Sequence, residues 1–163
     1  MDLLPFSAEH AATVAAWPAS SREVLLWCGR REFPVTGETV AGWQEDPEVH
    51  GHVLVGDGAV LGYGEVWTDA EEDEAELARI VVAPEARGRG VGRVLVRALL
   101  DRALGAGFDD VFLRVHPDNA VALRCYEGAG FVPVDPDEAA EWNVVQPVPY
   151  VWLTRPGRVT GTP

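Results

Sequence analysis

The stretch from residue 75 to residue 134 constrains this chain most, because apolar extended runs alternate there with amphipathic ones and glycines mark each change. Ala75 to Val82 reads as a strand ending in the apolar Ile80-Val81-Val82. Gly90 to Leu104 has helical spacing: Val91, Val94, Leu95, Ala98 and Leu99 recur at threes and fours, with Arg93, Arg97 and Arg102 off that stripe. Gly105-Ala106-Gly107 ends the helix, and Asp110 to Val115 alternates as a strand. Pro117-Asp118-Asn119 opens a short helix to Glu127, which Gly128-Ala129-Gly130 closes before an extended Phe131 to Val134. Strand, helix, strand, helix, strand requires helices laid against a sheet.

The flanking segments complete the layer. Residues 2–6 read as a first strand, and Ala8 to Trp17, Ser21 to Trp27 and Gly37 to Trp43 as helices, with Ser20 or Ser21 as an N-cap and Gly29 as a stop. His52 to Val55 and Ala59 to Trp67 form a hairpin around Gly56-Asp57-Gly58, the returning strand weakened by Gly62 and Gly64. An acidic turn follows at 69–73. Residues 135–147 read as a long acidic loop, Tyr150 to Leu153 as the last strand, and Arg155 to Pro163 as a loosely held tail. The hairpin makes part of the sheet antiparallel. The expected fold class is therefore α/β (α+β): one domain over 1–163, with a mixed central sheet of about six to seven strands and about four helices. At 163 residues and 47% hydrophobic, the chain has enough apolar material for one core.

Charge narrows the ligand. The net charge of −13 repels nucleic acid and anionic membranes, and no apolar run is long enough to span a bilayer. All thirteen basic residues are arginine, and six of them lie between Arg79 and Arg102. A basic segment in an acidic chain suits either an anion held locally or a helix with a solvated arginine face. Cys28 and Cys125 fit no metal or redox spacing, and the N-terminus has no secretory pattern, so a reduced, cytoplasmic, metal-free protein is expected.

The anion has an evident place. A helix starting near Gly90 points unpaired N–H groups and a positive dipole end backward along its axis. Gly88, Gly90 and Gly92 let the backbone approach phosphates closely, and Arg87, Arg89 and Arg93 can add charged hydrogen bonds. The turn lacks the Gly-Lys-Ser/Thr ending of a nucleotide-hydrolase loop, and its glycines miss the dinucleotide spacing.

Two stretches resemble the GCN5-related N-acetyltransferases. Glu76 to Gly92 resembles that family's core motif, whose Gln/Arg-x-x-Gly-x-Gly/Ala hallmark is met by Arg87, Gly90 and Gly92. Leu113 to Phe131 resembles its next motif, with Asn119, Tyr126 and a closing Gly130-Phe131. The resemblance covers roughly residues 50–134 and implies acetyl-CoA as acyl donor. By it, Ile80, Val81 and Val82 would pair with the pantetheine arm. The N–H groups of Arg87, Gly88, Arg89, Gly90, Val91, Gly92 and Arg93 would cradle the pyrophosphate. Asn119 and Ala122 would lie by the lower pantetheine and thioester. Tyr126 would protonate the leaving thiolate. Glu76, eleven residues before Arg87, would be the general base; where other members carry a Glu on the strand before the Asn, this chain has Arg114. The implied function is direct N-acetylation of an amine acceptor whose identity the sequence does not name; a module that only binds coenzyme A is the alternative. Relatives of this kind often form homodimers. Adjacent helical positions lie about 100° apart, which argues against Cys125 and Tyr126 facing one thioester together.

Several features admit plainer readings from the residues alone: Tyr126, three residues after Leu123, suits a core-facing stripe, and Glu76 a solvated strand-end acid. Asn119 suits a helix N-cap, and the acids at 69–76 suit either a solvated turn or a lure for a cationic acceptor.

Overall fold

In the computed structural model, which describes residues 1–157, seven strands form one mixed sheet in the order β1-β2-β3-β4-β5-β7-β6. The strands are β1 (Asp2–Pro5), β2 (Val49–Gly56), β3 (Ala59–Asp69), β4 (Glu74–Val82), β5 (Asp110–Val115), β6 (Val132–Pro133) and β7 (Val151–Thr154). The helices are α1 (Ala11–Ala15), α2 (Ser21–Cys28), α3 (Gly37–Gly42), α4 (Val91–Gly105), α5 (Ala120–Gly128) and α6 (Pro136–Asn143), with short 3₁₀ turns at 8–10, 43–45 and 84–86. The mixed sheet expected from the sequence is present; the helices are more numerous because several are very short. No described helix is long and apolar enough to cross a membrane.

Local chemistry accounts for the boundaries. Ser20 caps α2 by accepting from the Glu23 amide at 3.1 Å, and Gly29 ends it at φ 73°. Gly62 and Gly64 do more than weaken β3. A Cβ at Gly62 would lie 2.9 Å from Leu95 Cδ2, and one at Gly64 2.5 Å from Leu99 Cδ1. Their absence lets α4 press its buried Leu95 and Leu99 directly onto the sheet. The buried stripe of α4 is Val91, Leu95, Val96, Leu99, Leu100 and Ala103, whereas Val94 is exposed. On the opposite face of β3, Tyr63 hydrogen-bonds Gln44, and its ring meets Phe6 and Trp27 edge-on.

Two readings of the C-terminal region are corrected. Residues 135–147 are not a loop throughout, because 136–143 form α6, capped by Asp135 accepting from the Asp137 and Glu138 amides. Arg155 is anchored: its amide donates to the Val111 carbonyl at 2.9 Å. Residues 158–163 of the expected tail lie outside the described residues.

The feature that positions the site is a parting in the sheet. β4 runs parallel to β5 only from Glu74↔Asp110 to Leu77↔Leu113. At the next positions β4 bulges, with Arg79 at φ 47° and the register to β3 shifting between Tyr63 and Glu65. The indole of Trp27 on α2 donates to the Arg79 carbonyl at 2.8 Å and holds the bulge. Past it, β4 stays paired with β3 but has no partner in β5.

Candidate active site

Where β4 leaves β5, a cavity of about 760 Å³ opens between β4, α2 and the N-termini of α4 and α5. It is lined by Ile80, Val81 and Val82, by Arg87, Gly88, Gly90, Val91, Gly92 and Arg93, and by Asn119, Ala122, Cys125 and Tyr126. Of the residues singled out for donor binding, the cavity therefore gathers all but Arg89, whose guanidinium donates to the Glu85 carbonyl at 2.6 Å. Glu76 also lies outside it.

The backbone at the slot is arranged by alternation. The Ala83 amide donates to Leu61 on β3 at 2.9 Å, so the peptide groups of Val82 face away from β3, into the slot. Arg87 Nε reaches the Val82 carbonyl at 3.1 Å, while its Nη1 meets Glu23 of α2 at 3.1 Å. Arg87 thus braces the turn between strand and helix.

The turn suits an anion. Gly88 and Gly90 sit at φ 75° and 78°, the left-handed region that side chains resist. Gly90 is the N-cap of α4 and offers no side-chain acceptor, so the first amides of a fifteen-residue helix point into the cavity unclaimed. Gly92 serves packing instead: a Cβ there would lie 2.8 Å from Cys125 Sγ, so its absence lets α4 and α5 converge. Arg93 runs along Gly128 of α5. These features fit a pyrophosphate with a linear arm beside Val82. Among the described residues there is no group of His, Cys, Asp and Glu side chains suited to a metal.

At the α5 wall of the cavity, Tyr126 is a buried lining residue whose hydroxyl bonds no described residue. Burial, with the neighbouring Cys125 second, pushes the phenol well above its ordinary range. Asn119 caps α5 by accepting from the Ala122 amide at 3.2 Å, which is the plainer of its two readings, and it stands at the cavity wall in that role. Cys125 and Tyr126 both line the cavity despite their angular separation, because the cavity wraps around α5. The Cys125 thiol is pushed up by burial, which Arg93 only partly offsets.

A second cavity of about 150 Å³ shares Leu26, Trp27 and Ile80 with the first and continues past Arg79 toward Trp67, Glu76, Arg114, His116 and Tyr150. Glu76 and Arg114 form a two-pronged pair there, Nε to Oε1 at 2.6 Å and Nη2 to Oε2 at 3.1 Å. Arg114 also donates to Gln146 at 2.9 Å. The acids at 69–73 form the β3–β4 turn, where Asp69 Oδ1 accepts from the Glu71 and Glu72 amides.

Sequence reasoning missed the contribution of α2. Glu23, Leu26 and Trp27 wall both the turn and the slot, and exposed Arg124 adds a cation at the rim. Trp27 lies one helical turn after Glu23, a spacing that puts both on one face, but nothing local says which face meets the slot.

The model of the acetyltransferase (GNAT) family matches residues 11–131. Over 107 residues, 66% of this chain, it is 34% identical to an L-2,4-diaminobutyric acid acetyltransferase of Nocardia farcinica. A mycothiol acetyltransferase of a Nocardioides species is 32% identical over the same share. The matched stretches span 48% and 32% of those two proteins' own lengths. The aminoglycoside acetyltransferase AAC(6')-Ib, solved with ribostamycin and coenzyme A, superposes with a TM-score of 0.73 at 19% identity, covering 99% of this chain and 98% of that one.

Proposed function

The chain belongs to the acetyltransferase (GNAT) family, and from that premise we propose that it transfers an acetyl group from acetyl-CoA directly to a primary amine of a small molecule or peptide. One observation carries the reading: a β4 edge freed from β5 leads straight into the left-handed glycine turn of α4, and a tyrosine whose hydroxyl bonds no described residue lines the same cavity.

The chemistry follows from the placement. The amides of Gly88 to Arg93 hold the pyrophosphate, that of Arg87 being given to the Pro84 carbonyl at 3.4 Å, and the outward peptide groups of β4 align the pantetheine arm as an added strand would. An amide of the Ile80–Val82 stretch polarises the thioester carbonyl. The acceptor nitrogen attacks that carbon; the N–C bond forms as the C–S bond breaks. Tyr126 supplies the proton the departing sulfur takes, and its elevated phenol is protonated at neutral pH, as a general acid must be.

Glu76 accepts the proton lost by the amine. Four residues along a strand is about 13 Å, so water must carry that proton from the Ile80 end. Each Glu76 oxygen keeps a lone pair beyond its Arg114 contact. Reduced thiols at Cys28 and Cys125 suit the cytoplasm.

Acetyl-CoA consumption over amino acids, polyamines, aminoglycosides and short peptides tests the proposal. Turnover with at least one amine is expected. Coenzyme A binding without any turnover would assign a binding module instead. Thermal stabilisation by ATP but not by acetyl-CoA would overturn the donor.

A further inference from the structure

We propose that the acceptor is a compact amine that also carries a carboxylate, and that Arg79 is the residue that recognises it. The inference rests on the acetyl-transfer reading, since it takes the smaller cavity as the acceptor's seat. That cavity meets the donor cavity at Ile80, so an amine entering the slot leaves the rest of its molecule there.

The two arginines of the seat differ in what the protein leaves them. Arg114 is mostly committed: Nε and Nη2 hold Glu76 and Nη1 holds Gln146, and its charge is paired with the Glu76 carboxylate. Arg79 is not. Its Nη1 donates to Glu65 Oε2 at 2.9 Å, and no other acceptor among the described residues takes its guanidinium, which has five N–H groups to give. The group is held at a fixed place: its central carbon lies 4.1 Å from the Trp43 ring centre and 4.9 Å from that of Trp67. Its backbone is pinned by the Trp27 indole.

The acids nearby are already occupied. Glu65 is fully buried and receives Tyr63, the Trp67 indole at 2.6 Å and Arg79. Glu76, which carries the only carboxylate lining the seat among the described residues, is paired with Arg114. A polyamine finds no unpaired anion there. A carboxylate finds a rigid guanidinium between two indoles, where water competes weakly. The volume of about 150 Å³ is below the range of drug-sized pockets, which favours a small acceptor.

The test compares acceptors in pairs: L-2,4-diaminobutyrate with 1,3-diaminopropane, L-lysine with cadaverine, and amino acids with their amides. The carboxylates should show higher kcat/KM by about tenfold or more. Arg79→Lys keeps a cation for Glu65 but loses the planar fork. The double variant Glu65→Gln with Arg79→Gln removes the buried pair together, so neither charge is stranded. Both variants should raise KM for the carboxylates by about tenfold and leave kcat, KM for acetyl-CoA and the decarboxylated amines within about twofold. Equal or better turnover of the decarboxylated amines overturns the inference while leaving acetyl transfer intact. So does a loss that falls equally on both members of each pair. Failure to acetylate any acceptor overturns both readings.

Discussion

In Tyr126 burial would coincide with the proposed proton transfer. Its ring is part of the core, but its hydroxyl bonds no described residue, so removing the oxygen should cost little stability. Tyr126→Phe is expected to lower kcat by about 10²-fold or more while coenzyme A affinity, read by calorimetry, stays within twofold of wild type. His52 is the opposite case, a buried titratable group with no catalytic part. Desolvation first, and Arg102 second, push its pKa down to about 4 from an ordinary 6.5. Its Nδ1 has no hydrogen-bond partner among the described residues. Between those pH values the unfolded chain binds the proton and the folded one does not, so stability falls as pH drops through that window. Replacing His52 with Gln should flatten the dependence of the thermal midpoint on pH between 6.5 and 4; an unchanged slope would refute the assignment.

At the scale of the element, α4 and its leading turn carry most of the design. Gly92→Ala places a methyl 2.8 Å from Cys125 Sγ and should destabilise the fold by about 1–3 kcal/mol, with weaker coenzyme A binding. Adding Cys125→Ala should recover much of that loss, measured by urea unfolding. Gly90→Ala forces a side chain to φ 78°, at a cost of about 1–2 kcal/mol that no neighbouring truncation can relieve.

These elements were readable because each carries its signal locally. The stripe of α4, the glycines before it and the N-cap before α5 all lie within one turn of what they control. α6 was hidden because it buries no residue and so shows no stripe, although Asp135-Pro136 is a fair start signal. The parting of β4 from β5 has no local signal. Arg79 is an unlikely residue for positive φ, and the bulge is set by Trp27, 52 positions away. The pairing of Glu76 with Arg114 joins two strands through space and leaves no trace in either one's pattern.

Across the molecule, one sheet serves two solvents: it is close-packed against α4 on one face and opens to a slot at its middle. Hydrogen exchange should report that division. Amides of Val111 and Leu113 sit in a closed ladder and should be protected with or without ligand. Amides of Val82 and of Val91 to Arg93 should exchange quickly in the free protein and slow when coenzyme A is added. Uniform slowing across the sheet would mean a general stabilisation with no filled slot.

The stretch of β4 beyond Leu77 is, in effect, a sheet edge placed inside the domain. Edges are templates for any extended chain, and β4 here lacks the lysines and prolines that usually blunt one. The small molecule that fills the slot would then act as a guard against self-association as well as a reactant. Protein stripped of coenzyme A should aggregate sooner on warming than protein kept with it, and a desulfo analogue that cannot react should protect equally well.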